Sequence, residues 1–169
     1  MFYQRKANRL KEYDYNLSGT YFITICTKNR EPILSSIVGD DDSASLNHEI
    51  PFASVVLSEY GIIAEKYIQT MQHHNAQISI PQYVIMPDHI HLLIEILSHE
   101  TQCLSHPTQT KHTIIPQLIA SFKRFTNKEI GFNIWQRSYH DHIIRDEQDY
   151  FNRWNYINEN PLRWIQKYL

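Results

Sequence analysis

The chain has 169 residues, 42% of them hydrophobic and 20% charged, which excludes a disordered tail and predicts one domain over residues 1–169. Its formal net charge is −2, so a protein that coats DNA through its overall charge is also excluded. Any nucleic-acid site therefore has to be a local patch.

The apolar runs and the two cysteines bear on the cellular setting. No apolar run reaches the roughly 18 residues that a membrane span needs, and the basic N-terminus lacks the apolar stretch of a secretory signal. Cys26 and Cys103 lie too far apart in sequence to indicate a zinc pair or a disulfide framework. We therefore expect a cytoplasmic protein with reduced thiols and no membrane partner.

The first part of the chain predicts a strand, a loop and a helix. β-Branched and aromatic residues follow a Ser-Gly turn signal and predict a strand over about residues 21–27. Residues 35–48 contain three adjacent aspartates and predict an exposed acidic loop that extends to about residue 50. From Leu57 to His73, apolar residues recur every three or four positions, which is the pattern of an amphipathic helix.

The middle of the chain predicts a β-hairpin and a second helix. The two strands of the hairpin span residues 78–86 and 89–96, with a Pro-Asp turn between them. A polar linker follows at about residues 98–112. The second helix is predicted over about residues 116–128, with its apolar residues inward and its basic residues outward.

The last part predicts a fourth strand and a third helix. The strand spans residues 135–145, and the helix begins at Asp146 and ends at Asn160, because Pro161 disfavours its continuation; a short helical tail follows over residues 162–169. The helical period places four residues on the core face: Tyr150, Phe151, Trp154 and Ile157. The whole order predicts an α+β fold, a ferredoxin-like antiparallel sheet of the kind used by RNA-recognition modules, with helices packed on it.

Two pairs of polar residues could carry chemistry. His89 and His91 are two apart in a predicted strand and so share one face, where a divalent cation would relieve their desolvation and mutual repulsion. Tyr156 and Asn160 are four apart in a predicted helix and so share its polar face. The alternatives are hydrogen-bonded surface histidines, a tyrosine that serves only in packing and an asparagine that only stops the helix.

Three blocks of the sequence, at residues 84–94, 134–145 and 156–161, resemble those of the single-tyrosine HUH transposases. The opening, with Tyr13-Asp14-Tyr15 and the run over residues 19–27, is most similar to the REP-associated tyrosine transposase branch of that family. The resemblance covers most of the chain from about Arg9 to Trp164, except the acidic loop and the polar linker.

This resemblance implies a metal-dependent enzyme that cuts and rejoins single-stranded DNA, usually beside a hairpin. It implies that His89 and His91 hold a divalent ion, Mg²⁺ or Mn²⁺, that Asn160 completes the site, and that Tyr156 is the nucleophile and forms a covalent 5′-phosphotyrosine. The protein is then DNA-associated, and we expect a monomer rather than the homodimer of related insertion-sequence enzymes, which exchange the tyrosine helix.

Basic residues and one further histidine are secondary candidates. Single-strand binding needs positive charge and stacking surfaces, and the candidates for DNA contact are Arg5, Lys6, Arg9, Lys123, Arg124, Arg137 and Arg145. His142 is a candidate for a DNA contact or for a group that supports the site, with a structural hydrogen bond as the alternative. Tyr139 and Tyr150 compete with Tyr156 for the role of nucleophile.

Two other functions are compatible with these residues. A binding module without catalysis would stack bases on Tyr21 and Tyr83, as RNA-recognition folds do. A small metal hydrolase would use His89 and His91 to activate water, and would need a carboxylate base near them; Glu95 lies on the same strand face but further along.

Overall fold

A computed structural model describes residues 19–39, 53–97 and 114–168 of the chain. Six strands and three helices succeed one another in it, in chain order β1 (Gly19–Cys26), β2 (Ser35–Gly39), β3 (Ala53–Leu57), α1 (Glu59–His74), β4 (Ile78–Met86), β5 (His89–Ile96), α2 (Ile114–Ile130), β6 (His140–Ile143) and α3 (Glu147–Tyr168). Among the described residues, no helix has the length and apolarity to cross a membrane.

The main sheet has the strand order β4-β5-β1-β6, and all its neighbours are antiparallel. This is the order of a ferredoxin-like sheet, with β1 and β5 at its centre. A second, two-stranded sheet pairs β2 with β3.

Helices cover both faces of the main sheet. On one face α1 and α2 pack against alternate residues of the central strands, among them Ile23, Ile90 and Leu92, which are fully buried. On the other face α3 packs through Ile157 against Phe22 of β1 and Leu93 of β5. Because successive residues of β5 point to opposite faces, its histidines lie on the side of α3.

A close approach fixes the start of α1. The Ser58 hydroxyl accepts a hydrogen bond from the Gly61 amide at 3.1 Å and lies within hydrogen-bond distance of the Ile33 and Leu34 carbonyls. A Cβ on Gly61 would lie 2.1 Å from the Leu34 carbonyl oxygen. Glycine inside this helix is therefore required by packing.

Two sequence predictions in the outer elements are wrong. Residues 35–39, predicted as the start of the acidic loop, form β2; the rest of that loop and the linker at residues 98–112 lie outside the described residues. The fourth strand is confined to His140–Ile143, and Trp135 makes only an isolated bridge to Thr27. The Trp135 indole N–H donates to the Thr126 hydroxyl at 2.7 Å. This hydrogen bond holds Trp135 in the core instead of in the sheet.

The third helix also departs from its prediction. It continues through Pro161 to Tyr168, so Asn160 is not a helix stop. An internal proline removes one helical hydrogen bond and costs about 3 kcal/mol in an isolated helix, but Asn160 and Pro161 are both buried here and packing offsets that cost. Phe151, predicted to face the core, is 50% exposed.

Candidate active site

The two histidines of β5 lie side by side beneath α3. His89 and His91 are 7% and 5% exposed, and their Nε2 atoms are 3.0 Å apart. Their pairing follows from the alternation of β5, which sends Ile90 and Leu92 into the opposite core. Two buried imidazoles thus point their outer nitrogens at the same place.

The inner nitrogens of both rings have partners. His89 Nδ1 donates to Asp88 Oδ1 at 2.5 Å, since a carboxylate can only accept. In the neutral form of the ring, this places the electron pair on Nε2. His91 Nδ1 is 2.9 Å from Thr24 Oγ1 of the neighbouring strand. A hydroxyl both donates and accepts, so Thr24 supports either tautomer of His91. Such partners orient imidazoles that bind metal ions.

Burial and nearby positive charge keep His91 neutral. Burial, followed by the charges of His89 and Arg30, lowers the pKa of His91 to about 2. For Asp88, burial acts to raise the pKa, but the hydrogen bond and charge of His89 and the charge of Arg30 outweigh it and lower the pKa below its ordinary value. The result is an ionised Asp88 carboxylate and a neutral His91 imidazole, and a neutral imidazole is the form that binds a cation.

A tight turn after β1 supplies the arginine behind this carboxylate. Asn29 and Arg30 adopt left-handed backbone angles, with φ of 56° and 59°. The turn brings Arg30 Nε to 3.0 Å from Asp88 Oδ2, and the same guanidinium donates to Cys26 Sγ at 2.9 Å. Nothing in the sequence spacing points to Arg30, because its partner Asp88 lies far along the chain, in the turn of the β4–β5 hairpin.

Helix α3 brings the predicted tyrosine and asparagine to the histidines. An open pocket of about 210 Å³, the histidine pocket, lies between β5, the turn after β1 and α3. The Tyr156 ring is 5.3 Å from the His91 ring and meets it edge-on, and Asn160 is 6% exposed. The lining residues are Thr24, Arg30, His89, His91, Tyr156, Asn160, Arg163, Trp164, Lys167 and Tyr168.

The donor set of the histidine pocket fits a divalent cation. Two nitrogens 3.0 Å apart are spaced as neighbouring ligands of an ion that each binds at about 2.1 Å. Within the described ranges no cluster of three or more His, Cys, Asp or Glu side chains could hold a metal. A third protein donor would therefore be of another type, and the Asn160 amide lines the same pocket. Nitrogen ligands suit Mn²⁺ better than Mg²⁺.

The other predicted residues lie elsewhere or serve the fold. His142 Nε2 is 2.7 Å from Asp149 Oδ2 and ties β6 to α3. Lys123 donates to the backbone carbonyls of Gln136 and Ser138 at 2.9 Å each, so its ammonium is used to hold the segment before β6. Arg124 lies over the Phe125 ring, Arg137 and Arg145 are exposed, and Arg5, Lys6 and Arg9 lie outside the described residues.

The competing tyrosines do not line the histidine pocket. Tyr139 is 8% exposed and belongs to the core between the sheet and the first two helices. The Tyr150 hydroxyl donates to Glu95 at 3.2 Å, and its ring stacks on Trp154. Of the three tyrosines, Tyr156 alone lines the pocket with the histidines.

Besides Thr24 and Arg30, sequence reasoning missed four lining residues on α3. Arg163, Trp164, Lys167 and Tyr168 belong to the part of α3 beyond Pro161. They were missed because the helix was predicted to end at residue 160. Residues beyond that end could not be assigned to the helix face that carries Tyr156 and Asn160. Their spacing from Asn160, at three, four, seven and eight residues, was the available signal.

Comparison with known proteins identifies relatives of this chain. No protein-family model matches the chain. An uncharacterized protein of Haemophilus influenzae is 32% identical over 182 residues, covering 99% of this chain and 93% of its own length. A second protein of that organism, named "Putative REP-associated tyrosine transposase", is 26% identical and covers 89% of this chain and 74% of itself. The REP-associated tyrosine transposase of Escherichia coli is 21% identical and covers 90% and 73%. The chain belongs to the REP-associated tyrosine transposases.

A solved structure supports the fold of this REP-associated tyrosine transposase. A REP-associated tyrosine transposase bound to a REP hairpin superposes with a TM-score of 0.57 at 19% identity, covering 92% of this chain and 73% of that one. The resemblance to the REP-associated branch and the predicted α+β fold are both confirmed. At the level of class, the chain is a transposase, a DNA-processing enzyme.

Proposed function

We propose that this transposase cuts and rejoins single-stranded DNA through a covalent bond between Tyr156 and a 5′ phosphate. The observation that carries the proposal is that Tyr156, the two histidines and Asn160 line one pocket although they come from different elements. A nucleophile and a set of imidazole and amide groups that can hold a cation are what phosphoryl transfer by a tyrosine uses.

The residues of the pocket have different roles in this reaction. His89, His91 and Asn160 would hold a divalent ion, and a bound ion supplies positive charge at a nonbridging oxygen of the phosphodiester. Arg30 and Asp88 fix the ring of His89. Phe22 packs edge-on against the Tyr156 ring at 6.0 Å and fixes its orientation toward His91.

The bonds made and broken balance without a further reactant. The Tyr156 oxygen bonds to phosphorus and loses its proton, while the bond from phosphorus to the 3′ oxygen breaks and that oxygen gains a proton. The new phosphodiester keeps the free energy of the old one, so a DNA 3′ hydroxyl can displace Tyr156 and restore a continuous strand. No nucleotide triphosphate is consumed.

A hairpin beside the cut is part of the proposal. It is supported by the related transposase whose structure is bound to a REP hairpin. We propose that the present chain likewise acts next to a hairpin, with Mg²⁺ or Mn²⁺ as its ion, as one domain and as a monomer.

The alternative functions have less support. A stacking platform on Tyr21 and Tyr83 is disfavoured because Tyr21 is fully buried and the Tyr83 hydroxyl donates to Glu65 at 3.0 Å. A water-activating hydrolase is disfavoured because the described lining of the histidine pocket contains no carboxylate to act as base.

The nucleophile can be tested by covalent capture. Labelled single strands that carry a hairpin, incubated with the protein and Mn²⁺, should yield a DNA–protein adduct that survives denaturant. Tyr156→Phe removes one oxygen and keeps the ring against Phe22, so we expect a folded protein with no adduct. Tyr150→Phe is the matched control and should form the adduct as the parent does.

Three results would contradict the proposal. An undiminished adduct in Tyr156→Phe, or an adduct that maps to another tyrosine, would remove Tyr156 from its role. Cut strands with free ends and no adduct would favour the hydrolase.

A further inference from the structure

The last two turns of α3 form an aromatic wall beside the histidines. The rings of Trp164 and Tyr168 are 4.4 Å apart and inclined at 41°. The Trp164 ring lies 6.3 Å from the His89 ring, and Tyr168 is 56% exposed. A half-buried indole next to the reaction centre and an exposed phenol behind it leave ring surface open to the histidine pocket.

Positive charge surrounds this wall. Arg30, Arg163 and Lys167 all line the histidine pocket. Arg30 is paired with Asp88, and Arg163 is paired with Glu159 at 2.7 Å. Lys167 Nζ lies 4.8 Å from the centre of the Tyr168 ring, and no carboxylate within the described residues pairs with it. The wall therefore combines ring faces with an unneutralised ammonium.

We propose that Trp164, Tyr168 and Lys167 form a subsite for the nucleotide next to the phosphate that is cut. The base lies against the Trp164 and Tyr168 rings, and Lys167 contacts the phosphate on the far side of that nucleotide. The subsite rests on the proposed function for the identity of its ligand, a DNA strand. Its place follows from continuity, because the wall and the histidines line the same pocket.

The chemistry of the subsite sets what it recognises. Every base has a π face, so stacking raises the affinity for any base, whatever its identity. Lysine is a point charge and contacts phosphate without reading sequence. The subsite thus positions the strand for attack by Tyr156 and leaves the choice of DNA sequence to other contacts.

The test compares binding of two oligonucleotides with equal charge. The probes are a labelled dT12 and an abasic 12-mer of the same backbone, and the protein is the Tyr156→Phe variant, which the proposed function predicts to be unable to cut. The measured quantity is the ratio of the two affinities by fluorescence anisotropy. One stacked base contributes a factor of about 5 or more, so adding Trp164→Leu should lower the ratio at least about fivefold.

Further variants separate stacking from folding and charge. Tyr168→Ala changes an exposed residue and should lower the ratio in the same direction. Phe132→Leu, an aromatic that is 53% exposed and packs on Tyr60 instead, should leave the ratio unchanged. Lys167→Gln should weaken both probes alike and reduce the slope of log affinity against log salt by about 1.

An unchanged ratio in both Trp164→Leu and Tyr168→Ala would overturn the subsite, even if Tyr156 forms its adduct. A lowered ratio in these variants would support the subsite, even if no adduct forms at Tyr156 and the proposed chemistry fails. A fall in the ratio for Phe132→Leu as large as that for Trp164→Leu would also overturn it.

Discussion

At the scale of single residues, the ring nitrogens of the histidine pair are the most informative atoms. Asp88 holds the His89 ring through Nδ1, and the Nε2 atom of that ring lies 3.0 Å from Nε2 of His91. Burial of two imidazoles costs desolvation, which their hydrogen-bond contacts with Asp88, Thr24 and each other offset. We propose that the pair is a preformed site for a cation.

The histidine pair is predicted to bind Mn²⁺ together with Asn160. In titration calorimetry, His89→Ala and His91→Ala should each weaken binding at least about tenfold, because each removes a ligand where even the loss of a supporting partner costs about 10–100-fold. His73→Ala, at an exposed position of α1, is the control. Equal affinity in the parent and both variants would place the ion elsewhere.

Lys123 gives a prediction on stability against pH. Burial lowers the pKa of Lys123 from 10.5 to about 8. Between these pH values the unfolded chain holds a proton that the folded protein does not, so stability rises as pH rises. Urea unfolding at pH 8, 9 and 10 should show the parent gaining free energy of unfolding relative to Lys123→Met. A flat or falling difference would contradict the burial of this charge.

At the scale of elements, the packing of α1 depends on a glycine at position 61, which has no side chain. Alanine in place of Gly61 would gain about 1 kcal/mol of helix propensity. Its Cβ, however, would lie 2.1 Å from a carbonyl oxygen of the backbone, which cannot rotate away. Overpacking of this kind costs about 1–3 kcal/mol, so the clash outweighs the propensity.

Gly61→Ala should therefore lower the free energy of unfolding by up to about 2 kcal/mol, which is the clash cost less the gain in helix propensity. Denaturant unfolding measures it, with Gln72→Ala on the exposed face of the same helix as control. A stabilised Gly61→Ala would mean that α1 lies further from Leu34 than described.

The sequence was informative about periodic elements and silent about contacts between them. The β4–β5 hairpin and α1 were predicted nearly to their ends, because their apolar periods are unambiguous. The β2–β3 sheet was not, since a short strand among acidic residues has no period to read. The end of α3 was misplaced because packing overrode the local preference of Pro161.

The same distinction holds for the candidate site. His89, His91, Tyr156 and Asn160 were identified from i, i+2 and i, i+4 spacing together with a family resemblance. Arg30 was not, because its contact with Asp88 depends on how a turn meets a hairpin. Contacts across elements leave no pattern in a single sequence.

At the scale of the whole molecule, the His91–Tyr156 ring distance of 5.3 Å lies within one subunit, so the histidine pocket can form without exchange of α3. This is the arrangement that the proposed monomer needs in order to cut in cis.

Mixing variants tests this arrangement. His91→Ala and Tyr156→Phe, combined in equal amounts, should form no adduct, because neither protein has a complete pocket. Recovery of adduct on mixing would show that subunits exchange α3. Analytical ultracentrifugation of the parent, with one species at the mass of a single chain expected, gives an independent reading.

The central place of β1 has a consequence for the order in which the protein folds. The β4–β5 hairpin closes a short loop, whereas β1 must find β5 and β6 far along the chain, and closing long loops slows folding. We expect the hairpin to form early and the insertion of β1, followed by docking of α3, to limit the rate. A chain stalled at the hairpin would already hold both histidines and would have no tyrosine beside them.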